Sequence, residues 1–328
     1  MENNYWIVDD WLIFKPYFNK QLDEYYDIIN KYKKIMFSNY EDPLIAIETN
    51  NKYIFKYFDL YHRNNFNQKI DLSNNNNLIH LTFGTYFNQE IDLSNNINLT
   101  HLTFGVYFNK KIDLTNNINL THLTFDELFG QDFNRKIDLS NNINLIHLTF
   151  GTNFNQEIDL SNNINLTHLT YGIYFNQKID LTNNINLTHL TFIHNFNQEI
   201  DLSNNINLTH LTFVNELNKE INIPLSVKNL NIYYCSNQYI IDNLHNNIEE
   251  LKIYESDFNL DNLPNGIKKL TIANYKKDLN NLPNSIEYLK LKDYHLKIKK
   301  IPKNLKTIKC NKNYKYIDDF KDYEVILF

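Results

Sequence analysis

Seven histidines recur once per repeat along the middle of the chain: His80, His101, His122, His147, His168, His189 and His210. Placed in register on neighbouring strands, imidazoles stand about 4.8 Å apart. At that distance they could share a transition-metal ion or make one another harder to protonate. Chelation needs ligands that converge from several directions and are themselves oriented from behind. A straight row offers one edge, so the row is read as a surface feature that should resist full protonation. Seven aspartates, Asp71, Asp92, Asp113, Asp138, Asp159, Asp180 and Asp201, form a second row. They lack the glycine-rich loops of calcium-binding repeats and are read as turn caps. The sequence contains no phosphate-cradling glycine loop, nucleophile elbow or Cys/His metal spacing. It predicts no catalytic residue, no metal, no cofactor and no enzyme.

A repeated coil must position these rows. From Phe66 the chain reads Phe-Asn-x-(Lys/Glu)-Ile-Asp-Leu-(Ser/Thr)-Asn-Asn-x-Asn-Leu-x-His-Leu-Thr-Phe, and starts again at Phe87, Phe108, Phe133, Phe154, Phe175 and Phe196. Every interval is 21 residues except Phe108 to Phe133, which is 25. A fixed period of this length is the mark of a solenoid. Leu99, Leu102 and Phe104 have the Leu-x-x-Leu-x-Leu spacing of a leucine-rich-repeat strand, continued with 19-residue spacing at Ile286, Leu289 and Leu291. Strand alternation puts Leu102 and Phe104 inward and His101 and Thr103 outward. Ile91-Asp92-Leu93 also alternates, which predicts a second short extended segment. Stacking predicts a spine of Phe87, Phe108, Phe154 and Phe175 beside an amide row of Asn88, Asn109, Asn155 and Asn176. The residue before each Ile alternates in sign (Lys69, Glu90, Lys111, Lys136, Glu157, Lys178, Glu199) except at Lys111 and Lys136. These two flank the 25-residue interval, where the stack is expected to be disturbed.

The fold class predicted is a mainly β solenoid: a right-handed, leucine-rich-repeat-like coil of about 13 repeats of 19–21 residues, with a parallel sheet and an N-terminal helical cap. The boundaries are 1–56 for the cap, 57–217 for regular repeats beginning with the Leu60 coil, 218–312 for proline-containing repeats, and 313–328 for a C-terminal cap. In the N-terminal region Phe18, Leu22, Tyr25, Tyr26, Ile29 and Tyr32 recur at three and four, which predicts one amphipathic helix from Pro16 to about Lys34.

The net charge of −6 is uneven. Residues 66–217 carry 14 acids against 6 bases, which argues against a nucleic-acid groove along the repeats. Residues 290–312 hold nine lysines against one acid, Asp293, which reads as a solvated basic face or a contact for an acidic partner. Cys235 and Cys310 lie four coils apart, so no disulfide is expected. No apolar run approaches the length that spans a bilayer. With no signal-peptide pattern at the start, the sequence predicts a cytoplasmic protein (host cytoplasm if viral), not secreted.

Phe-Asn-Gln-Glu-Ile-Asp-Leu, His-Leu-Thr-Phe-Gly and Leu-Pro-Asn-Ser-Ile-Glu-Tyr-Leu resemble the FNIP repeats, leucine-rich-repeat relatives abundant in social amoebae and giant DNA viruses. The resemblance covers roughly 57–312. The middle repeats depart from it by carrying Lys or Glu where a proline usually precedes the Ile. Some members carry an N-terminal F-box that recruits a ubiquitin ligase. Residues 1–56 lack its Leu-Pro start, and Leu22 to Ile29 is the nearest candidate.

Positions that vary between repeats are free to recognise something. They cluster after the strand: Thr85 and Tyr86, Val106 and Tyr107, Asp126 to Asp132, Thr152 and Asn153, Ile173 and Tyr174, Ile193 and His194. The expected function is protein–protein interaction through the strand face and this edge. The candidate binding residues are His101, His122, His147, Tyr107, Tyr174 and the insertion residues Asp126, Glu127, Leu128, Phe129 and Asp132. The expected partner is a protein, not nucleic acid or membrane, bound by a monomer. The alternatives are a self-associating structural or virion component and a ligase adaptor.

Overall fold

The computed structural model describes residues 4–52, 64–125, 133–214 and 218–328. The chain forms two compact units, Met1–Ile173 and Tyr174–Phe328, each a stack of coils.

The first unit contributes β1 (Tyr5–Val8), β2 (Trp11–Phe14), β3 (Lys34–Phe37), β4 (His80–Thr82), β5 (His101–Phe104), β6 (His122–Phe125), β7 (His147–Thr149) and β8 (His168–Tyr171). β1 pairs antiparallel with β2. From β2 to β8 every neighbour is parallel. The register sets His80 beside His101 and Leu81 beside Leu102, so each coil lies residue over residue. As the alternation requires, Leu102 and Phe104 are buried while His101 and Thr103 are half-buried on the outward face.

The N-terminal region departs from expectation. The helix expected from Pro16 to Lys34 is reduced to α1 (Tyr26–Ile29). The apolar residues behind the helical spacing, Phe18, Leu22 and Ile29, pack instead inside a coil between two strands. Leu12 pairs with Ile35, one coil length later. Trp11-Leu-Ile-Phe is buried throughout, and a fully buried apolar run carries no strand alternation to read. Ile35 also occupies the register place beside Leu81. Leu60, expected there, lies outside the described residues. The longer helix is α2 (Pro43–Lys52), capped by Asp42, whose carboxylate accepts from the Leu44 N–H at 2.8 Å. Ala46 and Ile47 of α2 pack with Trp6 and Val8 on the outward side chains Trp11, Ile13 and Met36. At this end, therefore, a helix lies over the strand face.

The second unit contributes β9 (His189–Ile193), β10 (His210–Val214), β11 (Asn229–Tyr233), α3 (Gln238–Asp242), β12 (Glu250–Tyr254), β13 (Lys269–Ala273), β14 (Tyr288–Lys292), β15 (Thr307–Cys310), a 3-10 turn (Ile317–Phe320) and β16 (Glu324–Leu327), with all paired strands parallel. The segment expected to be a cap thus ends in one more strand. After most of these strands a single residue turns the chain with positive φ: His194, Tyr234, Glu255, Asn274 and Asp293. In the first unit glycine follows the strand for a different reason, close approach. A Cβ at Gly105 would lie 2.1 Å from the Gly84 carbonyl oxygen of the coil below.

Two features hold the coils together. One is aromatic: Phe66, Phe87, Phe108, Phe133 and Phe154 stack with centroids 5.9–6.1 Å apart. The strand phenylalanines Phe83, Phe104, Phe125 and Phe150 each lie 3.8–4.0 Å from one of them. Each buried ring contributes roughly 1.5–3 kcal/mol from water exclusion, and each pair roughly 0.5–1.5 more. The other is amide-based. The backbone N–H of Asn88 donates to Asn67 Oδ1 at 2.9 Å, and Asn109 repeats this on Asn88 at 3.0 Å.

Ile91-Asp92-Leu93 is not a strand; buried asparagines hold that side of the coil. Asn96 Nδ2 donates to the carbonyls of Leu72 (3.0 Å) and Asn75 (2.9 Å) in the coil below, and Asn117 and Asn142 repeat the pair of bonds. The 25-residue interval does not disturb the stack. Phe108 and Phe133 are 6.1 Å apart like their neighbours, and the Asn134 N–H still reaches Asn109 Oδ1 at 3.2 Å. Residues 126–132 lie outside the description.

Candidate protein-interaction surface

The outward strand face is the surface every strand contributes to. In the first unit it is nearly uniform: one row is His80, His101, His122, His147 and His168, and the next is Thr82, Thr103, Thr124, Thr149 and Thr170. The rings are parallel, with centroids 4.1–4.7 Å apart. In the second unit His189 and His210 stack at 4.1 Å. Parallel rings aim their nitrogens side by side and do not converge on a point, so the geometry suits a surface rather than a metal.

The threonine before the histidine fixes the ring's protonation. Thr100 Oγ1 donates its only proton to the Ile79 carbonyl at 2.8 Å, and the same oxygen lies 2.8 Å from His101 Nδ1. Nδ1 must therefore carry the hydrogen and donate, leaving the lone pair on Nε2. Thr121–His122, Thr167–His168 and Thr209–His210 repeat this arrangement. Burial, followed by the charge of neighbouring histidines, brings His122 down to about 3. Burial, then His101, brings His80 to about 2; Trp11 closes over it at 4.5 Å. His101 and His210 are also lowered, chiefly by burial. These four rings are neutral at physiological pH.

The aspartate row caps turns. Asp92 Oδ1 accepts from the Ser94 N–H at 2.9 Å, and Asp138 does the same for Ser140. These hydrogen bonds hold both carboxyls below the usual range.

Of the sequence-predicted binding residues, His101, His122 and His147 are brought together in one stack. Tyr107 stacks on Tyr86 at 5.0 Å in the same unit, on the edge after the strand. Tyr174 is 51% exposed and belongs to the second unit. Asp126, Glu127, Leu128, Phe129 and Asp132 lie outside the described residues. Three of the positions read as free to recognise are instead buried: Thr85, Val106 and Thr152 are at most 5% exposed. They vary because they fill the bend after the strand, where size matters more than identity.

Two features escaped the sequence reading. Ile97, Ile118, Ile143 and Ile164 form an exposed apolar row on the first unit, and Ile185, Ile206 and Leu225 one on the second. For the six isoleucines the signal was an apolar residue between two asparagines of the turn, a position strand alternation does not cover. The other feature is the strand face of the second unit, which changes character along the stack. Its rows read His189, His210, Asn229, Glu250, Lys269, Tyr288, Thr307; then Thr191, Thr212, Asn231, Lys252, Thr271, Lys290, Lys309; then Ile193, Val214, Tyr233, Tyr254, Ala273, Lys292. Beneath them the inward positions stay Leu, Ile, Phe and one Cys.

Comparison with known proteins agrees with this architecture. The FNIP Repeat model matches residues 254–294. No curated protein sequence matches significantly. Among solved structures, CroV588, described as a novel circular LRR protein, aligns with 27% identity and a TM-score of 0.65 over 94% of this chain and 48% of its own. The internalin inlF of Listeria monocytogenes aligns at 21% identity and TM-score 0.56, over 80% of this chain and 84% of its own. The functional domain of InlJ from the same organism, which includes a cysteine ladder, aligns at 18% identity and TM-score 0.50, over 74% and 62%. The internalins share the fold. The chain spans about half the length of CroV588.

Proposed function

We propose that this chain, an FNIP-type, leucine-rich-repeat-like protein, works as a non-enzymatic scaffold that binds another protein on its strand face and the adjoining edge. The observation that carries the reading is the contrast between the two sides of the same strands. The inward positions are constant because the stack needs them. The outward positions are uniform over β4–β8 and individual over β11–β15. Tyr233 and Tyr254, stacked at 4.3 Å beside Asn231 and Lys252, supply the aromatic anchors that protein interfaces favour. A second reading, a self-assembling structural component, draws support from the exposed isoleucine rows, since contiguous apolar surface is where chains associate.

The test is cross-linking mass spectrometry on amoebal extract. It compares the full chain, the variant Tyr233→Ala/Tyr254→Ala, and a deletion of Asp126–Gln131. A protein cross-linked to the strand face and lost in the tyrosine variant supports the scaffold. Loss in the deletion extends its footprint to the edge. Partners retained equally by all three chains, with sedimentation that rises with concentration, select the self-assembling reading.

A further inference from the structure

Seven of the nine lysines in the basic stretch 290–312 are sorted by the fold into two populations. Lys297, Lys299 and Lys306 are ion-paired with Asp319 (3.2 Å), Asp278 (3.1 Å) and Glu287 (2.6 Å). Lys300 donates to Asn281 at 3.1 Å. These lysines are accounted for as links between coils. Lys290, Lys292 and Lys309 face outward from β14 and β15 and form no ion pair among the described residues. Lys290 and Lys309 hold opposed register positions, and at strand spacing their stems are about 4.8 Å apart. Like charges so placed repel. Lys252, in the same row, is by contrast paired with Glu250 at 2.8 Å.

Apolar and aromatic groups frame the unpaired lysines. Tyr288 precedes Lys290 on the same face of β14, and Tyr254 stands two strands away. On the other side Ile326 is in register with Lys309, and the Phe328 ring lies 5.9 Å from Lys290 Nζ. Both Ile326 and Phe328 are exposed. The patch ends at Glu250 on one flank and Glu324 on the other, so its positive charge is compact. A nucleic-acid strand gains from a long basic track and would run into both glutamates. A short acidic segment would not.

We propose that the strand face of β12–β16 docks an acidic peptide segment bearing an apolar side chain. Its carboxylates lie on Lys290, Lys292 and Lys309, and its apolar group packs against Tyr288. The inference rests on the interaction-scaffold reading and names the class of partner.

The experiment is fluorescence anisotropy of the full chain with a labelled dodecapeptide of alternating Glu and Asp around one Trp. Two double variants with the same change of charge are compared: Lys290→Glu/Lys309→Glu on the face, and Lys297→Glu/Lys299→Glu among the ion-paired lysines. The face variant is expected to lose about tenfold or more in affinity, and the other less than about threefold. Tyr288→Ala is expected to weaken the Trp peptide and leave a Trp-free peptide unchanged. Denaturant midpoints of the variants test folding; if the face variant unfolds, Lys290→Gln/Lys309→Gln replaces it. Equal weakening by both double variants overturns the site. So does a single-stranded oligothymidine of equal length that competes as strongly and responds to the same lysines. If no acidic peptide binds while a captured partner still depends on Tyr233 and Tyr254, the acidic class fails and the scaffold stands. If both tests are silent, the scaffold fails too.

Discussion

Asn95 and Asn96 are neighbours of the same type in the same turn, yet the fold treats them differently. Asn95 is exposed and makes one long bond, to the Ser73 carbonyl at 3.3 Å. Asn96 is fully buried, and its amide satisfies two carbonyls of the coil below. Each of those carbonyls also accepts a backbone N–H, from Asn75 and Leu78 respectively, so removing the amide costs each of them one of two hydrogen bonds, at roughly 0.5–1.5 kcal/mol per bond. Asn96→Ala is therefore expected to destabilise by about 1–3 kcal/mol, and Asn95→Ala by less than about 0.5 kcal/mol. Urea unfolding of the two variants measures the difference; equal effects would show that the buried amides carry no special weight. Sequence reading placed both residues in a turn, correctly, but burial within a turn is set by the coil below and leaves no mark on residue type. Gly105 makes the same point. Its φ is ordinary, and it is required by the carbonyl 2.1 Å from where its Cβ would stand. Gly105→Ala, a small loop substitution by sequence, is expected to cost about 1–3 kcal/mol, as overpacking does, read from the same urea titration.

At the scale of the strand rows, pH is the probe. An unfolded histidine titrates near 6.5, whereas burial and neighbouring rings bring His80 to about 2 and His122 to about 3 in the fold. The folded state thus favours the neutral rings, and the unfolded state takes up protons first. Stability should be full above about pH 6.5 and fall as pH drops through the window down to the folded values. The aspartates have the same ordering within a lower window. Asp92, Asp113 and Asp138 are held below 3.8 by serine and threonine donors, so their contribution is present above that value and fades beneath it. Between pH 6.5 and 4.5 the loss therefore belongs to the histidines. Denaturant midpoints at pH 7.5, 6.0 and 4.5 should decline, and His101→Asn/His122→Asn should flatten the decline; an unchanged slope in that variant would assign it elsewhere. The rows themselves were legible in the sequence because identical spacing forces identical placement. The tautomer was not, since it depends on where one threonine proton goes.

For the molecule as a whole, period and alternation were enough to read the coil, its inward residues and its phenylalanine spine. They failed where the period failed. Residues 4–52 hold three strands and two helices whose apolar residues fit a helical spacing by coincidence, and α2 lies over the strand face of β1–β3. The candidate surface was legible only in outline. The sequence marked the outward positions, but the pairing of lysines with acids one coil away separates free charges from engaged ones. The insertion supplies the decisive whole-molecule test. In a solenoid each coil is stabilised by its neighbours, so a break in contact divides the stack into parts that open independently. Spacing across Phe108 and Phe133 is unbroken, and Asn142 still bonds to Leu114 and Asn117 at 3.0 and 2.9 Å. Hydrogen exchange followed by mass spectrometry should therefore find the amides of β6 and β7 as slow as those of β5, with no step at residues 126–132. At the end of the second unit, Ile326, Leu327 and Phe328 are exposed, and β16 has a neighbour on one side among the described residues. Exchange there should be faster than in β14. A step at the insertion would mean that the extra residues cost the stack its continuity, and that the coils before and after them open as separate units.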